Sequence, residues 1–315
     1  MLITGRIKLL TILIIFTLSL VSCSQRKQVC FTFDDLPFVS YNITDTIMQK
    51  SLFNKLLLSL KESKIPAIGF VNEFKMYSNG SIINFQSDLL RKWVDEGMDL
   101  GNHTFSHKDY NSVSFNEYSK DILKDENIIG SILSGKNKPV RYFRHPFLHV
   151  GNSAARADSL NAFLSDHDYI VAPVTIDNED YLFASAYEKS KVRNDTGLMV
   201  RIGHDYIIYM EKKLKYFEKQ SQKLFGRDIS QVLLLHASFL NSDYLDSLAI
   251  MFQKNKYAFV TLDKALEDKA YQTEITKYGN WGISWIDRWA LSKGKKGDFF
   301  KDEPTTPDYI VRLSK

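Results

Sequence analysis

Apolar and polar positions alternate along this chain in two rhythms. Short apolar runs have the length and residue types of buried strands: VCFTF (29–33), AIGFV (67–71), MDLGNH (98–103), VRYFRH (140–145), YIVAPVTI (169–176), VLLLH (232–236) and YAFVTL (257–262). Between them apolar residues recur every three to four positions, as in a helix with one buried face. TIMQKSLFNKLLLSLKES (46–63) is one such stretch. INFQSDLLRKWVDEG (83–97) is another and stops at Gly97, a residue suited to the left-handed turn after a helix. SFNEYSKDILKDENIIGSIL (114–133) reads as one helix opened by Ser114 and Glu117, a capping box. Strands alternating with helices predict an α/β fold of parallel strands, and seven strands is near the number that closes a barrel.

Two stretches depart from this rhythm. Residues 182–230 form an insert ahead of VLLLH, and within it Ile207, Met210, Leu214, Phe217 and Leu224 recur at heptad-like spacing before Gly226. A long amphipathic helix packed on the body is expected, with its lysines in water and His204 at the surface. The extension 271–315 carries Trp281, Trp285 and Trp289 four residues apart. That spacing predicts a packed helix face rather than a sugar-binding platform.

Composition narrows the function classes. The 315 residues are 44% hydrophobic and 25% charged, enough for a large core. A formal charge of +4 with no arginine-rich stripe does not suggest a nucleic-acid binder, and no nucleic-acid partner is expected. At the N-terminus, Arg6 and Lys8 precede the apolar run LLTILIIFTLSLV, too short to favour a membrane span, and LVSC ends at Cys23. This resembles a bacterial lipobox. It implies a signal peptide over 1–22, lipidation of Cys23 and a tether over 23–28, with a plain signal peptide as the alternative. Ser24 after Cys23 resembles an outer-membrane sorting choice, so an exported lipoprotein of the outer membrane, facing the periplasm or the cell surface, is expected, and a monomer. Cys30 is then left without a disulfide partner and reads as a small buried hydrophobe.

The chemistry-bearing residues stand at strand ends. Asp34 and Asp35 close the first apolar run, and alternation along a strand would point their side chains apart. His103 and His107 are spaced to reach one metal ion, and Asp35 would make a third ligand with a coordination position left open. Asp34 would then be free to act as a base. Arg144 could orient a carboxylate, and His236 could be an acid tuned by Asp180 or its rival Asp177. Singly, each has an ordinary explanation as a cap, a surface cation or a hydrogen-bonded core histidine. His145 and His149 read as loop residues.

Taken in order, TFDD, HTFSH, RHPF, DNEDY and LLLH resemble the polysaccharide deacetylases, carbohydrate esterase family 4, over residues 29 to about 262. The resemblance implies a distorted (β/α) barrel of seven parallel strands, a catalytic domain over 29–270 with the C-terminal extension packed on it, and a site at the strands' C-terminal ends. It implies removal of acetyl groups from an N- or O-acetylated glycan with one divalent ion, zinc or else cobalt, nickel or manganese. By position, Asp34 would be the base, Asp35, His103 and His107 the metal ligands, and Arg144 the orienter of Asp34. The Phe147 N–H would help hold the oxyanion, Asp180 would tune the acid His236, Tyr181 would form a wall near the acetyl group, and Leu234 would line the acetyl pocket. The chain departs from the family pattern at Leu36 and Pro37, where glycine usually follows the Asp pair, a change expected to reshape the mouth of the site. It departs again at Tyr181, where tryptophan is usual. A metal-dependent amidohydrolase acting on a non-sugar amide and a non-catalytic sugar-binding lipoprotein are the alternative readings.

Overall fold

The computed structural model describes residues 26–315; Cys23 and the expected signal peptide lie outside them. Strand β1 (Lys27–Val39) is followed by α1 (Thr46–Glu62), β2 (Ile68–Val71) and a small hairpin of β3 (Tyr77–Ser78) with β4 (Ser81–Ile82). Then come α2 (Asn84–Asp95), β5 (Asp99–Asn102), α3 (Phe115–Lys124), α4 (Asn127–Ser134), β6 (Tyr142–Phe143), α5 (Ala154–Asp166) and β7 (Ile170–Val171). The second half holds α6 (Asp180–Val192), α7 (Thr196–Phe225), β8 (Gln231–Ser238), α8 (Phe239–Lys254), β9 (Tyr257–Phe259), α9 (Leu262–Leu266), α10 (Trp285–Ser292) and α11 (Asp308–Ser314).

Seven strands form one parallel sheet in the order β7-β6-β5-β2-β1-β8, with β9 paired to the start of β1. Beyond β7 the chain reaches across to β8. The N–H groups of Thr175 and Ile176 donate to Val232 O at 2.9 and 3.0 Å, and Leu234 N–H donates to Ile176 O at 3.3 Å. These bonds curl the sheet into the distorted barrel anticipated from the sequence.

The helical periods explain what covers the barrel. Leu56, Leu57 and Leu60 of α1 are buried, and Trp93 of α2 is fully buried against Phe33 at 5.5 Å and Phe53 at 6.0 Å. The insert is α6 and α7. Met210, Leu214 and Phe217 of α7 are fully buried, each stabilising the fold by roughly 1.5–3 kcal/mol, and Gly226 ends the helix in the left-handed region at φ 70°. The extension is bonded to the closing segment: Trp285 N–H donates to Val174 O at 2.7 Å, and Ser284 Oγ–H to Thr175 O at 2.8 Å.

Two local readings are corrected. The single helix expected over 114–133 is two helices, broken at Asp125 and Glu126. The break turns the buried Asp125 carboxylate inward, where it accepts from the N–H groups of Glu73 (2.8 Å) and His103 (3.1 Å). Only half of the capping box forms, because Ser114 Oγ accepts from Glu117 N–H while the Glu117 carboxylate goes to Lys108. The β3–β4 hairpin turns on Asn79-Gly80, both at positive φ, a turn signal that was present in the sequence.

Candidate active site

Strands β1 and β8 lie side by side with Asp34 directly opposite His236. Asp34 is 3% exposed. Its carboxylate accepts from Arg144 Nη1 at 3.2 and 3.3 Å. The fully buried Arg144 is itself fixed by Nε donating to Ala172 O (2.7 Å) and Nη2 to Thr32 Oγ1 (3.0 Å). Burial pushes the Asp34 carboxyl up to about 6, with Arg144 pulling against the rise. A carboxylate with that affinity suits proton transfer near neutral pH.

Asp35 is not set apart by simple strand alternation. Its φ is 63°, in the left-handed region, and the β1 register shifts beside it. Aspartate tolerates this conformation better than most residues. The bend carries the Asp35 Oδ1 atom to 3.8 Å from His103 Nε2 and 3.5 Å from His107 Nε2. The two imidazoles come from the end of β5 and from the loop after it rather than from a helical turn, since Thr104 and His107 also have positive φ. His103 Nδ1 lies 2.8 Å from Arg144 O. Donation there leaves the Nε2 lone pair facing Asp35.

These residues fit a divalent cation. One ligand atom from each of Asp35, His103 and His107 lies within 4.8 Å of the others. Asp35 Oδ1 is buried without a hydrogen-bond partner among the described residues, an acceptor that an ion would satisfy. Burial pushes both histidines down, so the rings are neutral and able to coordinate. Burial also pushes Asp35 up, but opposing positive charge, led by Lys75, holds the carboxyl well below its usual value.

On the other wall, His236 Nδ1 lies 2.7 Å from Asp180 Oδ1. Asp180 is fully buried at the first residue of α6, and its Oδ2 accepts from the N–H of His236 and from Asn241 Nδ2, each at 2.8 Å. Burial alone would lower the imidazole; the Asp180 charge and hydrogen bond overcome it and raise His236 to about 9. His236 Nε2 faces the metal-ligand set, 3.9 Å from Asp35 Oδ2. Asp177, the rival candidate, makes no bond to the histidine.

The rim differs from expectation in one respect. Leu36 and Pro37 are buried, not at the mouth. The Leu36 side chain fills the space left by the missing Cβ of Gly69, where a methyl group would stand 1.9 Å from Leu36 Cδ1. The residues at the surface here are Phe147 and Tyr181. Phe147 sits at φ 55° with its ring 4.5 Å from that of His107, and its N–H meets no backbone acceptor among the described residues. The Tyr181 ring is 6.3 Å from that of His236. Leu234 is buried two residues before His236, on the same side of β8. His145 is no ordinary loop residue: it is buried, and burial followed by Arg288 and Arg144 pushes it down to about 3. His149 pairs with Asp109 at 2.7 Å. A cavity of about 510 Å³ between α5, β7 and the extension contains none of Asp34, Asp35 and His236, so charge geometry rather than cavity size places the chemistry.

Sequence reasoning missed several supporting residues. Thr32 carries Arg144, Asn241 carries Asp180, and Asp125 holds the His103 backbone. Lys75 Nζ donates to Asp35 O at 2.7 Å. For Thr32, the position two residues before Asp34 on one strand face was a usable signal; the other three are distant in sequence and carry none.

Residues 22–162 match the model of the polysaccharide deacetylases. A chitin deacetylase of Arthroderma benhamiae is 25% identical over 189 residues, 58% of this chain and 44% of that protein. The chain thus spans less than half the length of this curated relative. The crystal structure of a polysaccharide deacetylase from Bacillus cereus superposes with a TM-score of 0.50 at 18% identity, covering 75% of this chain and 92% of that one. A mutant of a family 4 carbohydrate esterase pseudoenzyme from Bacillus anthracis, with restored enzymatic activity, gives a TM-score of 0.50 at 17% identity, covering 77% and 68%. Both structural likenesses concern the fold alone.

Proposed function

We propose, for a chain that belongs to the polysaccharide deacetylase family, a metal-dependent hydrolase that removes acetyl groups from N- or O-acetylated sugars of a polysaccharide or oligosaccharide. The observation that carries this reading is the pair of buried charge couples, Asp34–Arg144 and His236–Asp180, facing each other across the Asp35, His103 and His107 set. A sugar-binding lipoprotein without activity would need neither couple.

Asp35, His103 and His107 would hold one divalent ion, zinc by its nitrogen and oxygen donors, with cobalt, nickel or manganese as substitutes. When bound, that ion would polarise the acetyl carbonyl and acidify a nearby water. Asp34, oriented by Arg144, takes the proton of the attacking water. The Phe147 N–H donates to the developing oxyanion. His236, kept protonated by Asp180, gives its proton to the departing amine or alkoxide. Leu234 and Tyr181 bound the space for the acetyl methyl group.

The test is acetate release from chitin oligomers, peptidoglycan fragments and acetylated xylan. At least one glycan should lose acetate; a non-sugar acetyl amide hydrolysed in place of all of them would favour the amidohydrolase instead. Purified protein should hold about one zinc-like ion per chain, and His103→Ala should lose it. Equal metal in both would remove the ligand assignment. We further propose that lipidation of Cys23 anchors the exported protein to the outer membrane. Cys23→Ala should then move it from the membrane fraction to the soluble one, and an unchanged distribution would refute the anchor.

A further inference from the structure

We propose that Trp281 of the C-terminal extension is a stacking platform for a second sugar ring beside the reacting unit, so that the site selects oligomeric over single acetylated sugars. This rests on the deacetylase reading above.

Among the tryptophans spaced four apart, only Trp281 faces water. It is 38% exposed, whereas Trp285 and Trp289 are buried in the extension's packing. The indole lies on Gly279: a Cβ added there would stand 2.5 Å from Trp281 Cε2. The indole is therefore held close against the backbone at Gly279, while the residue keeps 38% of its surface open.

The platform is tied to the catalytic rim through the backbone. A Cβ at Gly282 would meet Phe147 O at 2.1 Å, so residue 282 must be glycine for the two loops to touch. Arg288, fully buried, donates through Nη2 to Leu148 O and Trp281 O, both at 2.6 Å. One guanidinium thus fixes Trp281 relative to the loop whose Phe147 ring packs on His107. Phe147 is itself 53% exposed, so two open aromatic rings belong to loops in direct contact at the edge of the metal-ligand set.

The surrounding chemistry fits a sugar better than an apolar ligand. A pyranose ring presents a face of C–H groups and a rim of hydroxyls, which call for an aromatic face with amide and carboxylate partners around it. Asn280 beside the indole bonds the exposed Asn152 at 3.1 Å, and the His149–Asp109 pair lies under the same loop, where His149 Cδ2 would stand 3.5 Å from a Cβ at Gly282.

The test compares the full, metal-loaded protein on three probes: an N-acetylglucosamine tetramer, the monomer and a small aryl acetate. Wild type should prefer tetramer to monomer. Trp281→Ala should raise KM for the tetramer about tenfold and lower by as much the ratio of kcat/KM on tetramer to kcat/KM on aryl acetate. Trp281→Phe should recover part of the loss. Gly279→Ala, which keeps the tryptophan but displaces the indole, should lose in the same direction. An unchanged ratio in both alanine variants, or equal use of tetramer and monomer by wild type, overturns the subsite. Wild type that hydrolyses aryl acetate but no acetylated sugar overturns the substrate reading beneath it, a distinguishable failure.

Discussion

The two halves of the site are built by different means. From β1 to the loop after β6, the chemistry sits on backbone bends: Asp35, His107 and Phe147 all have left-handed φ, at 63, 52 and 55°, and Thr104 between the histidines stands at 63°. A β-branched residue there is strained. It is held because Asn72 Nδ2 donates to Thr104 O at 3.0 Å and Thr104 N–H donates to Asn102 Oδ1 at 2.9 Å. From α6 onward the chemistry sits on regular elements: Asp180 opens a helix and His236 lies within a strand. Here the bends at Asp35 and His107 bring side chains from two separate segments to one point. An acid held by one partner needs a fixed distance between two elements, which packing against α7 and α8 provides. The family match at 22–162 covers the first half, whereas the second half contains the insert and the extension.

The sharpest way to break this division is Asp34→Asn. If Asp35 binds metal and Asp34 moves protons, kcat should fall about a thousandfold while metal content stays at the wild-type level. Loss of metal in this variant would mean that the two carboxylates share one task.

Arg144→Met should be next in size. It leaves Asp34 buried without its cation, and removal of one partner from such a pair costs about 3 kcal/mol. Without Arg144 the Asp34 carboxyl rises further above about 6, so the folded chain keeps a proton that the unfolded chain releases above about pH 4. The folded state then binds more protons, and stability falls as pH rises. Urea denaturation should show a larger loss at pH 8 than at pH 5; an equal loss would mean that Asp34 stays charged.

For the second half the decisive variant is Asp180→Asn. His236 is raised to about 9 by Asp180, so its stabilising ion pair is fully present below about pH 6.5 and lost as pH rises through about 9. A cation held by Asp35 would remove that residue's share of the rise, so the basic limb of the activity profile should then lie below 9. In Asp180→Asn the limb should move towards 6.5 or lower, with kcat reduced about tenfold at pH 6 and more at pH 8. A limb that does not move would detach Asp180 from the acid.

The contrast between the halves also decides what could be read from the sequence. The seven strands and most of the helices were legible because buried strands and one-sided helices leave periods in the chain. Asp34, Asp35, His103, His107, Arg144, Asp180 and His236 were legible as residue types in a characteristic order at strand ends, and the structure brings all seven together. The bend at Asp35 was not, because aspartate at positive φ looks like any aspartate in the sequence. Nor was the inward turn of Leu36, which depends on a missing side chain at Gly69, 33 positions away. Asp125 was hidden for a related reason: its polar residue type fits the exposed side of a continuous helix, and only the fold shows that the helix breaks to carry it inward.

The smallest effect should come from the brace behind the second half. Gly226 stands at φ 70° after α7 with nothing within 4 Å of where a Cβ would be. Gly226→Ala therefore introduces backbone strain and no clash, and should cost about 1 kcal/mol of stability. Because α7 supports α6 through packing and Asp180 is fixed by its own bonds to His236 and Asn241, the basic limb should stay in place. A shifted limb would show that the acid's environment depends on the end of α7, and the second half would then share the first half's reliance on local backbone geometry.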